Sequence, residues 1–420
     1  MPRRAGGPGA TVVRQTSNVL DTLRAVMRFR RFELDPIARR LARVASIDDL
    51  RRIAQRRLPH GVFDYIDGGA EDERSLAEST AAFSRIGFRP RVLRGVGKVD
   101  SSTTVLGRPV PLPLILAPTG FTRCADPEGE LAAARAADRA GLPYTLSTVA
   151  TRSIEEVRGV SDGRLWFQVY AWRDRGLVDE LVQRAAEADY EALVLTADTA
   201  VLGRRERDVR RGFEMPPRLG LGTLLDGAVH PGWTWAFARA EPIRFANIVG
   251  SGLSDGADPV SLAEFTNSQF DADLSWDDVD WLRQRWPGPL LVKGIQTVED
   301  ALLAVERGVD AIVLSNHGGR QVDGAPAPID LVAPVREAVG DSVEIICDGG
   351  VRRGSDIIKA VALGANACMT GRAWLYGLGA AGERGVDLAL TLLDQEVHRT
   401  MALIGASAID DLTPELVEAR

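Results

Sequence analysis

The chain has 420 residues, 45% of them apolar and 26% charged, with a net charge of −7. That composition fits a globular protein with room for one large domain or two modest ones, and it excludes disordered, collagenous and disulfide-stapled classes. The acidic balance argues against non-specific nucleic-acid binding.

The charge is uneven along the chain. Residues 1 to 45 hold ten arginines against Asp21, Glu33 and Asp35, about +7, which leaves about −14 for the rest. Leu20, Leu23 and Met27 recur at helical spacing with Arg24, Arg28 and Arg31, predicting a basic, helical N-terminal extension. It suits docking on an anionic membrane surface, or equally a solvated arm resting on the chain's own acidic body. No apolar run approaches the roughly 20 residues of a bilayer span, and Arg3-Arg4 has no apolar core behind it. The expectation is a cytoplasmic protein, at most at the inner face of the cell membrane.

From residue 46 to about 415 the sequence reads as one α/β domain. Short apolar runs, each ending in polar or glycine residues, alternate with amphipathic stretches, the rhythm of βα units. The first four runs are Leu112 to Ala117, ending in Pro118-Thr119-Gly120; Tyr144 to Leu146, ending in Ser147-Thr148; Leu165 to Phe167, ending in Gln168-Val169-Tyr170; and Ala192 to Leu195, ending in Thr196-Ala197-Asp198. The next four are Leu290 to Val292, ending in Lys293; Ala311 to Leu314, ending in Ser315-Asn316-His317; Val343 to Ile346, ending near Asp348-Gly349-Gly350; and Ala367 to Met369, ending in Thr370-Gly371-Arg372. Eight such runs predict a closed (β/α)8 TIM barrel, with Gly129 to Ala140 and Thr297 to Gly308 among its outer helices. An open doubly wound sheet is the alternative, but no Gly-x-Gly-x-x-Gly follows the first strand. Residues 200 to 288 break the rhythm and predict a long loop after the fourth strand. Its Pro231 to Phe237 stretch could touch lipid or a partner, or fold as an aromatic cluster against the barrel.

In such barrels the C-terminal strand ends share one mouth where catalysis occurs. Thr119, Gln168, Tyr170, Thr196, Asp198, Lys293, His317 and Arg372 would converge there. Glycine and arginine recur in the loops after the seventh and eighth strands, at Gly350 and Arg352 and again at Gly371 and Arg372, which points to a phosphate group. Lys293 would be a cation in an apolar mouth and needs an anionic partner or a depressed pKa. The negative edge of a reduced flavin would satisfy the first, and a Schiff-base lysine would use the second. His317 is the one histidine at a predicted strand end, where Asp198 could orient it as a base, with Arg320, Arg205, Tyr65 and Tyr170 available for an anionic substrate. Cys124, Cys347 and Cys368 show no metal or redox spacing, and none of the four histidines lies within four residues of another, so no metal site is expected.

Several segments together resemble the FMN-dependent 2-hydroxy-acid dehydrogenase and oxidase family. They are Ser315-Asn316-His317-Gly318-Gly319-Arg320-Gln321, Asp348-Gly349-Gly350-Val351-Arg352-Arg353-Gly354, Leu291-Val292-Lys293-Gly294, and Phe63-Asp64-Tyr65 with Gly68-Gly69-Ala70-Glu71-Asp72. The resemblance implies His317 as base with Asp198 as its partner, Arg320 and Arg205 as carboxylate clamps, and Tyr65 and Tyr170 lining the substrate. For FMN it implies backbone contacts from Thr119 and Gly120, ring contacts from Ser147, Gln168, Thr196 and Lys293 beside Ser315, phosphate contacts from Gly350, Arg352, Gly371 and Arg372, and Asp348 on the ribityl chain. Gly120 stands where plant-type oxidases carry alanine, and Val149 where glycolate oxidase carries tryptophan. These departures, with the Trp233 to Phe237 stretch and the Asn247 region, resemble the membrane-associated, quinone-reducing lactate and mandelate dehydrogenases.

The implied reaction is oxidation of an L-2-hydroxy acid, L-lactate first, with a quinone, cytochrome or oxygen as acceptor, in a homotetramer. His317 would take the hydroxyl proton while the α-hydrogen leaves as hydride, or would abstract the α-proton itself. The rivals are a barrel lyase using Lys293 and a catalytically silent flavin binder.

Overall fold

The computed structural model describes residues 33–212, 220–248 and 268–419. The predicted amphipathic pattern at Leu20 to Arg31 lies outside them. Residues Met1–Arg43 and Val44–Arg420 form two separate units. In the first, the short helix Pro36–Leu41 is capped by Asp35, whose side chain accepts from the backbone N–H of Ile37 at 2.8 Å.

The second unit is a barrel of eight parallel strands, β1 (Leu114–Leu116), β2 (Tyr144–Ser147), β3 (Leu165–Val169), β4 (Ala192–Thr196), β5 (Leu290–Ile295), β6 (Ala311–Ser315), β7 (Glu344–Asp348) and β8 (Ala367–Thr370). Each pairs with the next, and β8 returns to β1 with Cys368 opposite Leu114 and Thr370 opposite Leu116, closing the ring. These strands are apolar almost throughout because one face packs the interior and the other meets helices. Ile115, Trp166, Val194, Leu291, Val313, Ile346 and Met369 fill the interior. Val105 and Val110, from the hairpin Thr103–Val105 and Arg108–Val110, join that cluster beside Ala192, Ala311 and Ala367 at the strands' N-terminal ends. The hairpin thus packs against the N-terminal end of the barrel, away from the C-terminal strand ends.

The interval after β4 is more ordered than the expected loop. Its described residues contain the helices Glu206–Arg211, Leu221–Val229, Pro231–Arg239 and Trp276–Arg283, the last leading directly into β5 as an outer helix. These pieces are only six to nine residues long, divided by Gly212, Gly220 and His230-Pro231, so no long periodic pattern marked them in advance. The insertion is tied to the barrel by polar contacts. The Trp233 indole donates to the Cys124 carbonyl at 2.8 Å, and Asn247, fully buried, accepts from the Ile154 N–H at 2.9 Å. Its outer side leaves Leu224, Leu225, Val229, Trp235 and Phe237 exposed.

Candidate active site

The strand ends open into a cavity of about 450 Å³. Thr119 and Gly120 reach it after β1, Ser147 from β2, Gln168 and Tyr170 from the end of β3, Thr196 from β4 and Lys293 from β5. His317 and Arg320 follow β6, Asp348, Gly350 and Arg352 close β7, and Gly371 and Arg372 follow β8. Two further lining residues come from outside the barrel: Tyr65 from the helix His60–Asp67, and Arg205 from the start of Glu206–Arg211. Asp198 and Ser315 join through His317 and Lys293. The sixteen lining positions and these two gather every candidate catalytic, substrate or flavin residue named from the sequence.

His317 has a left-handed backbone, φ 56°, which is costly for a residue with a side chain and is held by the Ser315 hydroxyl, which accepts from the His317 N–H at 3.0 Å. Its Nδ1 lies 2.9 Å from Asp198 Oδ1. Burial raises the Asp198 carboxyl, but His317 and Lys293 more than offset that and hold it below its ordinary value. An anionic Asp198 accepts from Nδ1–H and leaves Nε2 with the lone pair a base needs. The approach requires a glycine in β5: a Cβ on Gly294, where φ is 107°, would stand 2.7 Å from the Asp198 Cβ. Gln321, in the same motif as His317, donates to the Asp198 and Val201 carbonyls at 2.8 and 2.9 Å and so stitches the loop after β6 to the loop after β4.

Lys293 Nζ sits 2.8 Å from Asp348 Oδ2 and donates to Ser315 Oγ at 2.9 Å. Burial pulls its ammonium down, yet Asp348 and Asp198 raise it above its ordinary value. A Schiff-base lysine needs the opposite, a neutral amine near pH 7, so this environment speaks against the lyase reading.

Arg320 and Arg205 both face the Tyr65 ring, their guanidinium carbons 5.0 and 5.8 Å from its centre. Burial and the nearby Arg205 push Arg320 down to about 9. Two cations so placed gain from a bound anion, and a carboxylate between them would relieve both the desolvation and the mutual repulsion. Arg320 Nη1 is already fixed by the Tyr65 and Gly68 carbonyls at 2.6 and 3.2 Å, which orients the fork in advance. Asp208, 3.7 Å from Arg205 in the same wall, has its carboxyl raised by burial despite both arginines.

The cavity also fits the FMN that the motifs imply. Ser147 Oγ and the Thr148 N–H donate to Gln168 Oε1 at 3.0 and 3.3 Å, which turns the amide so that Nε2 is a buried donor with no partner in the protein. Thr119 Oγ1 is likewise buried and unpartnered. Each would be costly left alone, and each would find an acceptor or donor at the polar edge of a flavin ring. At the other end, Arg352 and the N-terminus of Arg372–Ala381, capped by Gly371, suit a phosphate. The Arg372 guanidinium donates to the carbonyls of Ile66, Gly68 and Gly318 at 2.8 to 2.9 Å, locking the Tyr65 helix and the His317 loop to β8.

A carboxylate no motif singled out positions the substrate side. Asp67, two residues after Tyr65, accepts from Arg51 at 2.6 and 2.8 Å, Arg207 at 3.1 Å and the Tyr376 hydroxyl at 2.7 Å. Burial raises its carboxyl, but Arg51 and Tyr376 overcome that and hold it at about 2, against an ordinary 3.8. A depressed folded pKa gives stability that is fully present above the unfolded value and is lost as pH falls through the folded one. The wild type should therefore lose about 2 kcal/mol from this group between about pH 4 and pH 2. Chemical denaturation across that range should show the loss, and Asp67→Asn should abolish that component.

Also absent from the sequence reading are Phe121, Phe245 and Phe270, which wall the cavity beside Tyr65 and Tyr170. Their ring-centre separations are 6.2 Å for Tyr65 and Phe121, 6.1 Å for Phe121 and Phe245, and 5.1 Å for Tyr170 and Phe270. Gly120 has a local reason as well: a Cβ there would stand 2.5 Å from Val149 Cγ2, so glycine and valine occupy these positions as a pair.

Comparison with known proteins agrees with this chemistry. The family model for FMN-dependent dehydrogenases matches residues 54–419. A putative L-lactate dehydrogenase of Mycobacterium tuberculosis is 47% identical over 407 residues, covering 97% of this chain and 96% of that one. The (S)-mandelate dehydrogenase of Pseudomonas putida is 42% identical, with 89% and 93% covered, and glycolate oxidase 5 of Oryza sativa subsp. japonica is 42% identical, with 89% and 95% covered. A crystal structure described as the monotopic membrane protein (S)-mandelate dehydrogenase aligns with a TM-score of 0.87 at 41% identity, over 90% of this chain and 100% of that one. The eight-stranded barrel, the histidine and carboxylate facing two arginines, and these relatives lead to one conclusion: the chain belongs to the FMN-dependent dehydrogenase family, with FMN as its cofactor.

Proposed function

We propose that this protein oxidises an L-2-hydroxy acid, L-lactate to pyruvate in the first instance, and passes the electrons to a quinone or another non-oxygen acceptor. The observation that carries the reading is the His317–Asp198 pair in the same cavity as two arginines, Arg320 and Arg205, that face one tyrosine ring. Arg320 and Arg205 hold the substrate carboxylate, with the Tyr65 ring facing both guanidinium groups and Tyr170 lining the same cavity. His317 Nε2 takes the hydroxyl proton, and Asp198 stabilises the imidazolium that forms. The same pair serves either route for the α-hydrogen, as hydride or as proton. Bound FMN supplies the two-electron acceptor. Lys293, kept cationic by Asp348, would offer positive charge to the negative charge that gathers on that acceptor.

L-lactate is supported by the name of the M. tuberculosis relative, while the three phenylalanines leave apolar walls that also suit a larger side chain. A non-oxygen acceptor is supported by the Gly120 and Val149 pair and by the exposed apolar side of Leu221–Val229 and Pro231–Arg239, which suits peripheral contact with a membrane where quinones reside. Among the described residues no helix is long and apolar enough to cross a membrane. The similarity to glycolate oxidases favours oxygen as the second reading. Reducing the holoprotein anaerobically with its hydroxy acid, then adding either a soluble quinone or oxygen, separates them. Faster return of the flavin colour with quinone is expected, and faster return with oxygen would make the protein an oxidase.

A further inference from the structure

Among the described residues, one cluster of metal-ligating side chains lies outside the cavity: His60, Asp226 and His230, with one potential ligand atom from each all within 4.8 Å of one another. His60 opens the helix His60–Asp67, Asp226 sits in Leu221–Val229, and His230 lies at the junction with Pro231–Arg239. We propose that these three residues bind one divalent transition-metal ion of the Zn²⁺ class, which clasps the insertion after β4 to the helix that carries Tyr65.

The ligand set and its surroundings support this. Two imidazoles and one carboxylate form the three-ligand arrangement of an open zinc site, with water in the fourth position, and nitrogen donors select such an ion over Mg²⁺ or Ca²⁺. The carboxylate is oriented in advance: Asp226 Oδ2 accepts from the His60 N–H at 2.7 Å, while Oδ1 stands 2.7 Å from His60 Nδ1 and 3.3 Å from His230 Nδ1. The His230 ring is held by the Asp226 carbonyl, 2.7 Å from Nδ1. Tetrahedral coordination wants donors about 3.3 Å apart, given metal–ligand distances of roughly 2.0 to 2.1 Å. Reaching that spacing is a modest adjustment: the 2.7 Å between His60 Nδ1 and Asp226 Oδ1 widens, and ligand atoms no more than 4.8 Å apart settle around the ion. The His60 side chain is 58% exposed and can make it, while Asp226 at 17% and His230 at 9% form the fixed floor.

The consequence lies in what the clasp joins. Tyr65 is on the His60 helix and Phe245 is on the insertion, and both line the substrate side of the cavity. An ion at the cluster would fix one wall relative to the other without touching the reacting groups. No adjacent pair of histidines advertises the site in the sequence, because the fold brings His60 and His230 together from distant parts of the chain.

The test uses the flavin-loaded full chain, stripped with a chelator and titrated with Zn²⁺ by calorimetry near neutral pH. One ion per chain with micromolar or tighter affinity is expected, undisturbed by excess Mg²⁺. His60→Gln and His230→Gln should each weaken binding about 100-fold or more. Retained flavin colour in both variants verifies the fold, and exposed His60 is the safer of the two. Absence of Zn²⁺ binding below millimolar concentration in the wild type, or unchanged affinity in the variants, would overturn the site.

Discussion

His317→Gln is expected to lower turnover by at least about 1,000-fold while the purified protein stays yellow. Glutamine fills a similar volume and is neutral, but it cannot take a proton from the substrate hydroxyl near pH 7. The groups suited to hold FMN are different ones: Gln168 and Thr119 with buried unpartnered atoms, Lys293, and Arg352 with the helix end at Gly371. The main-chain bond from the His317 N–H to Ser315 Oγ does not involve the ring, so the strained turn keeps its anchor. Flavin absorbance per chain and kcat measured together check the division. A colourless variant, or one with near wild-type turnover, would contradict it.

Arg320→Lys should cost about 2 to 3 kcal/mol of transition-state stabilisation, or roughly 30- to 150-fold in kcat/KM. One Arg320 nitrogen is occupied by the Tyr65 and Gly68 carbonyls, and the rest of the planar fork remains for the substrate. A lysine carries its charge at one atom and cannot serve the two carbonyls and a carboxylate together. The half-buried like-charge neighbour Arg205 stays in place, so the variant also keeps the repulsion that substrate binding relieves. Steady-state kinetics with L-lactate and a dye acceptor would show it. Unchanged kcat/KM would remove Arg320 from the clamp.

Which parts of this were legible in the sequence follows from the physics of each part. Strands such as Ala311–Ser315 and Ala192–Thr196 announced themselves because both faces of a parallel barrel strand are buried, leaving nearly unbroken apolar runs with polar residues only at the functional end. His317 and Asp198 were visible for that reason just beyond strand ends, and Lys293 as the one charge within the apolar strand Leu290–Ile295. The helices of the insertion were hidden by their shortness and by Gly220 and Pro231 between them. Asp67 was hidden because its partners Arg51, Arg207 and Tyr376 come from three separate helices. Phe245 and Phe270 follow no period of their own and become cavity walls only when the insertion folds back. His60 and His230 were set aside because ligand spacing along the chain is informative for local metal motifs and blind to sites assembled by the fold.

The central claim is that His317, Arg320 and bound FMN act together on an L-2-hydroxy acid. Anaerobic mixing of the holoprotein with L-lactate and, separately, D-lactate tests it most directly, with the visible flavin absorption as the readout. Rapid bleaching by the L-acid alone is the expected result. A flavin that stays oxidised with L-lactate and with every other L-2-hydroxy acid tried, or that bleaches equally with the D-acid, would contradict the account.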